Sequence, residues 1–262
     1  MSVSAAVCPA PPLLVRELTG RALILPGLRD ACAAAVAHLI AGAPDLVIVV
    51  GPADVTAPLD ASARLDLSAY APALRVRDDP ASGDPAGSDP AGSDPAGGDP
   101  AGKASLPLAV GVGAMLLGEA GYDGPRILQG IAAQAPPDAC GALGRDLAAA
   151  APRVALLVMG EGTARRSVSA PGYLDERAEP FDAAVERAIR DGDLEALAAL
   201  DPVLAGDLMA TGRPAWQVLA GALAAAPAPV SPQAAARHRT RIRYSDAPFG
   251  VAYLVATLDP ER

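Results

Sequence analysis

The chain has 262 residues, 51% apolar and 3% aromatic, with a formal net charge of -9. That length suits one large α/β domain or two small ones, with a core drawn from Ala, Leu and Val rather than from rings. The charge repels phosphate backbones and argues against nucleic acid as a partner, and no apolar run approaches the ~20 residues of a membrane helix.

Residues 3–8 read as a strand that runs into Cys8-Pro9-Ala10-Pro11-Pro12. Residues 27–41 predict a helix with Leu28, Cys32, Ala35, Val36 and Leu39 on one stripe. The β-branched run at 45–50, DLVIVV, predicts a strand buried on both faces and leads into Gly51-Pro52-Ala53-Asp54. A buried helix over 106–121, a strand over 126–132, a helix over 135–152 and an apolar strand over 153–160 follow. Residues 175–226 read as a run of helices, with Pro202 and Pro214 at helix starts. Two final strands fit 237–244 and 249–258. The alternation predicts one α/β domain over 1–262, with a central mixed, largely parallel sheet and helices on both faces.

One segment interrupts this order. Residues 79–103 are five tandem copies of a DPAGS-like unit, and Lys103, the only lysine, closes the last copy. Asp, Pro, Gly and Ser cannot bury enough apolar surface to offset chain entropy, so the repeat reads as a disordered insertion. A calcium-binding repeat would need apolar residues between the aspartates, which are missing. The start of the chain lacks the positive n-region of a signal peptide. Cys8, Cys32 and Cys140 are odd in number and far apart, and read as reduced thiols of a cytoplasmic protein.

Ligand sites in open α/β sheets lie at the carboxyl ends of strands. Three such ends carry the motifs of interest: CPAPPLL, GPAD, and GEGTARRS at 160–167. The last has two glycines after a strand but lacks the third glycine of a dinucleotide fingerprint, so it reads as a turn permitted by glycine. Arg165 and Arg166 in it are able to meet an anion, but read first as solvated side chains. Arg237, Arg239, Arg241 and Arg243 fall on one face of a strand, the pattern of a charged edge that resists aggregation, or of a grip for an acidic partner. Trp216, the only tryptophan, sits at helical spacing with Leu219 and reads as core. The two histidines are His38, on the flank of its helix stripe, and His238.

The order of these pieces resembles the class III extradiol ring-cleavage dioxygenases, the LigB-type subunit and its Memo-like relatives, in an actinobacterial branch. CPAPPLL, VVGPAD and the stretch VMGEGTARRS through the acidic helix carry the likeness, joined by LPLAVGVGAMLL and DAPFGVAYLVATL. In that family two histidines and a carboxylate bind Fe(II), leaving positions open for a catechol and dioxygen, and another histidine moves protons. The resemblance puts the ligand positions on Ala10 and Ala53 and the acid/base position on Ala164. An alanine methyl neither ligates metal nor transfers a proton. The vestigial pocket would comprise Cys8, Pro9, Ala10, Pro52, Ala53, Asp54, Glu161, Thr163, Ala164 and Arg165. The expectation is a catalytically degenerate relative with no cofactor, kept as a binding module for a small molecule or a protein. The alternative is an active Fe(II) dioxygenase acting on a catechol-type aromatic, its site rebuilt from Cys8, Asp54 and Glu161 or shared with a partner subunit. The resemblance also implies oligomer formation.

Overall fold

The computed structural model describes residues 1–20, 22, 24–65, 67, 70, 105–225 and 238–260. The DPAGS repeat and Arg237 lie outside the described residues. The strands are β1 (Ser2–Cys8), β2 (Leu46–Ala53), β3 (Ala57–Leu59), β4 (Arg64–Leu65), β5 (Ser105–Leu106), β6 (Arg126–Ala132), β7 (Arg153–Met159), β8 (His238–Asp246) and β9 (Tyr253–Pro260). The helices are α1 (Arg16–Thr19), α2 (Pro26–Ala41), α3 (Leu108–Glu119), α4 (Pro137–Ala148), α5 (Ala178–Asp191), α6 (Leu194–Ala198), α7 (Pro202–Asp207) and α8 (Arg213–Ala225).

A seven-stranded mixed sheet in the order β3-β6-β2-β7-β1-β9-β8 forms the middle of the molecule. Its four central strands, β6, β2, β7 and β1, are mutually parallel, and β3, β9 and β8 add antiparallel edges. β4 and β5 pair separately in parallel. The apolar runs in β2 and β7 form strands here because both their faces are covered. Val47 and Val49 face the core under α2 and α3, whereas Ile48 and Val50 face the core under α5 and α8. Each fully buried side chain of this size contributes about 1.5–3 kcal/mol.

α8 is buried around its whole circumference from Arg213 to Leu223. It lies between β1, β2, β6 and β7 on one side and α4 and α6 on the other. Its two polar side chains, Arg213 and Gln217, are therefore buried along with its apolar ones. The α4–α8 approach depends on glycine: a Cβ on Gly144 would lie 2.1 Å from the Val218 carbonyl oxygen, and one on Gly221 would lie 2.2 Å from that of Gly141. Arg213, 1% exposed, donates to the carbonyls of Ala133 and Ala135 and to Gln217, tying the start of α8 to the loop between β6 and α4. Among the described residues no helix is long and apolar enough to cross a membrane.

Three sequence expectations need correction. β2 does not end before Gly51 but continues through Ala53, with Pro52 opposite Ile131 of β6. Pairing with β7 stops at Val50, so Pro52 sits where the strand has only one neighbour and its missing N–H is tolerated. The last strand begins at Tyr253 rather than 249, because Pro248–Gly250 form a 3₁₀ turn. The arginine row is interrupted: β8 is an edge strand with Arg239 and Arg241 exposed, but a bulge between Ile242 and Tyr244 leaves Arg243 without a partner in register and half-buried.

Candidate functional site

The parallel order brings the carboxyl ends of β1, β7 and β2 side by side at one edge of the sheet. The loop after β7 crosses this edge. Gly160 donates its N–H to the carbonyl of Cys8 at 3.1 Å, and a Cβ there would come 2.4 Å from Cα of Gly212. Only glycine allows the loop to lie this close to the start of α8.

Glu161 follows directly. One carboxylate oxygen accepts the N–H of Ala10 at 2.9 Å, and the other accepts the hydroxyl of Thr211 at 2.8 Å. Its carbonyl accepts the N–H of Gly212 at 2.8 Å. One side chain thus fastens the β1 turn, the β7 loop and the entry to α8. Thr163 is fully buried and turns to the other side. Its N–H and hydroxyl donate to the two oxygens of Asp182 on α5, at 2.9 and 2.7 Å. Arg165 donates to the carbonyl of Gly172 at 2.6 Å.

The three alanines rest in different surroundings. Ala10, 1% exposed, belongs to the core under α2 and α3. Ala53 lies beside Gly130, where an added Cβ would come 2.8 Å from its methyl. Ala164 is buried, with its N–H on the carbonyl of Leu208 and its own carbonyl taking the N–H of Gly172.

The residues proposed for a rebuilt metal site do not suit one. Cys8 is buried beside the Cys32 thiol, and that neighbour together with burial pushes its pKa well up, away from thiolate. Asp54 is exposed, and both Glu161 oxygens already have donors. Among the described residues no three His, Cys, Asp or Glu side chains form a metal-holding group. His38 lies elsewhere, 2.8 Å from Asp259 on β9. The pairing of Cys8 with Cys32 was not legible from their separation in sequence. It follows from α2 packing on β1.

A cavity of about 310 Å³ opens at the same sheet edge, on the face covered by α5 and α8. Gly162, Arg166, Asp182, Trp216 and Tyr253 are among its lining residues, and none of the ten vestigial-pocket residues is. Arg166 bridges Asp182 at 3.3 Å and Glu179 at 3.4 Å. Burial raises the pKa of Asp182 even though Thr163 and Arg166 pull it down. Tyr253 is pushed up to about 12, first by burial and then by the charge of Glu161. The sequence did carry one signal for Asp182. It falls four residues after Ala178 and three before Val185, on the apolar stripe of α5, where an unneutralised acid needs a reason.

No protein-family model and no curated protein matches the chain. A solved structure of an uncharacterized protein from Escherichia coli K12 is similar over 98% of this chain and 99% of that one, with 14% identity and a TM-score of 0.49.

Proposed function

We propose that this chain is a binding module for a small molecule, built on a scaffold resembling the extradiol dioxygenases but without their metal chemistry. The observation that carries the reading is the set of groups at the three positions that the resemblance assigns to metal and proton transfer. All three are methyls, on Ala10, Ala53 and Ala164. The acids nearby do not replace them. Glu161 serves as a brace for Ala10 and Thr211, and Asp182 as a brace for Thr163. The cavity beside α5, separate from those three positions, supports binding as a role, since ligands of open α/β sheets collect at the carboxyl ends of the strands.

The test is direct. The purified full chain is loaded with Fe(II) under anaerobic conditions, desalted, and assayed for bound iron and for oxygen uptake with catechol. Iron well below one equivalent and no ring-cleavage product are expected. Stoichiometric iron with catechol turnover would sink the proposal and favour the active Fe(II) dioxygenase.

A further inference from the structure

We propose that two copies of this chain pair across an apolar face formed by three loops at the carboxyl edge of the sheet, residues 160–177, 208–212 and 247–252. This contact stands whether or not the cavity beside α5 holds a ligand.

Five large apolar side chains are exposed on these loops: Val168, Tyr173, Leu174, Met209 and Phe249, from 43% for Met209 to 75% for Val168. The backbone brings them together. The Ala164 N–H donates to the carbonyl of Leu208 at 3.1 Å, and the Arg166 N–H donates to that of Gly250 at 3.0 Å, so the first loop is tied to the other two. A Cβ on Gly172 would come 2.7 Å from Sδ of Met209, and one on Gly250 would come 2.5 Å from Cβ of Ala170. The whole chain has two phenylalanines, five tyrosines and four methionines. Phe181, the other phenylalanine, is buried. A core so short of rings nevertheless leaves Tyr173 and Phe249 outside it, beside a methionine, and these are residue types that protein interfaces concentrate.

The backbone at three of the five is strained. Tyr173, Met209 and Phe249 have φ of 59°, 58° and 58°, a left-handed conformation that is unfavourable for any residue with a side chain. Leu25 and Ala43 are the other described non-glycine residues that adopt it. Turn hydrogen bonds hold the geometry: Tyr173 N–H to the Ala170 carbonyl at 2.9 Å, Met209 N–H to that of Gly206 at 3.0 Å, and Gly250 N–H to that of Ala247 at 3.1 Å. Strain of this kind gathers at binding sites.

Shape, charge and area select the occupant. None of the five residues lines the cavity beside α5, so what covers them is a surface and not a small molecule. The three loops hold Arg165, Arg166 and Arg177 against Glu161, Asp175 and Glu176, a balance of zero in a chain of net charge -9. Elsewhere the acidic excess keeps copies apart, whereas this face lacks it and carries both signs, as a self-complementary contact requires. Two rings and three aliphatic side chains at these exposures amount to about 500 Å² of apolar surface. That is the apolar centre of a contact of about 800 Å² per partner, the size of a stable dimer interface.

Sedimentation velocity of the full chain, run from about 1 to 100 µM, reads the mass directly. A species of twice 26.1 kDa is expected to dominate above about 10 µM. Asparagine tolerates the left-handed conformation, so joining Tyr173→Asn to Phe249→Asn removes both rings and spares the backbone. This double variant should weaken the dimer by at least about 100-fold and keep the far-UV circular dichroism of the parent chain. Val168→Asp, outside the strained turns, is the second variant and should weaken it by about tenfold or more. A parent chain that stays monomeric at about 100 µM overturns the inference. A dimer that both variants leave intact overturns it too, because the contact then lies on another face. A monomer that floats with phosphatidylcholine vesicles, and loses that binding in the double variant, overturns it in favour of a lipid contact.

Discussion

Replacing Glu161 by Ala tests whether this carboxylate is a brace or a functional group held in reserve. The substitution removes the acceptor of the Ala10 N–H and of the Thr211 hydroxyl. Ala10 is 1% exposed, so its N–H is left buried without a partner. A hydrogen bond to a charged acceptor is worth about 1.5–3 kcal/mol, and a stranded buried donor costs about 1–3 kcal/mol. The two figures overlap, and Glu161 is partly exposed, so the expected loss is about 2 kcal/mol. For a chain of this size that is a fall in Tm of about 4–8 °C. Glu161→Gln keeps one oxygen for Ala10 and offers an N–H to the Thr211 oxygen, so it should cost less than about 1 kcal/mol. Urea unfolding followed by Trp216 fluorescence measures both, with an unchanged slope as the sign that only stability moved. If Glu161→Ala lies within about 0.5 kcal/mol of the parent chain, the brace argument is wrong and the carboxylate is available for other chemistry.

Three further outcomes follow from the packing and the charges. Arg213→Met leaves the carbonyls of Ala133 and Ala135 without their donor inside the fold, and should cost about 3 kcal/mol by chemical denaturation; a loss below about 1 kcal/mol would mean that water replaces the guanidinium. Gly144→Ala puts a methyl onto the Val218 carbonyl and should destabilise by about 1–3 kcal/mol or more, since backbone of a fully buried helix has nowhere to move. Asp175 is held at about 2, below its usual 3.8, chiefly by hydrogen bonding to Arg177. Its folded pKa is depressed, so its stabilisation is complete above the usual value and is lost as the pH falls through about 2. Asp175→Asn should therefore flatten the acid end of a Tm-against-pH curve and leave its neutral shape unchanged.

The layered fold was legible because buried parallel strands carry a pattern that needs no partner to be read. DLVIVV and RVALLVM are continuous apolar runs, and each became a central strand. The β8 bulge was not legible, because alternation assumes one residue per register step and Arg243 is the extra one. The strand ends were legible as places, though not as a site. Whether CPAP and GEGTAR meet depends on β1 and β7 being neighbours in the sheet, which no local pattern states. The Trp216 reading was right about burial, but helical spacing cannot tell a core ring from one that also walls a cavity. Asp182 stood in plain view on an apolar stripe. Its meaning depended on Thr163, nineteen residues away, turning toward it.

Placing histidine at Ala10, Ala53 and Ala164 tests the lost-site reading from the opposite direction. If the three methyls share one space, the imidazoles have somewhere to go, and those at 10 and 53, the positions the resemblance assigns to ligands, should gather Fe(II). Their present surroundings argue otherwise for two of them. Ala10 is 1% exposed within the α2–α3 core, and Ala164 is 9% exposed with both backbone groups bonded to neighbouring loops. An imidazole forced into either place overpacks it, at about 1–3 kcal/mol each. Ala53 is only half-buried and should accept histidine more readily, although the approach of Gly130 restricts its rotamers. The triple variant is therefore expected to lose Tm by about 5 °C or more and to retain no stoichiometric iron. Single variants locate the cost, with Ala53→His the mildest. A triple variant as stable as the parent chain that binds one iron would show that the pocket survives around the missing ligands. The packing around these three positions would then have room for a metal, and the lost-site reading would rest on the three side chains alone.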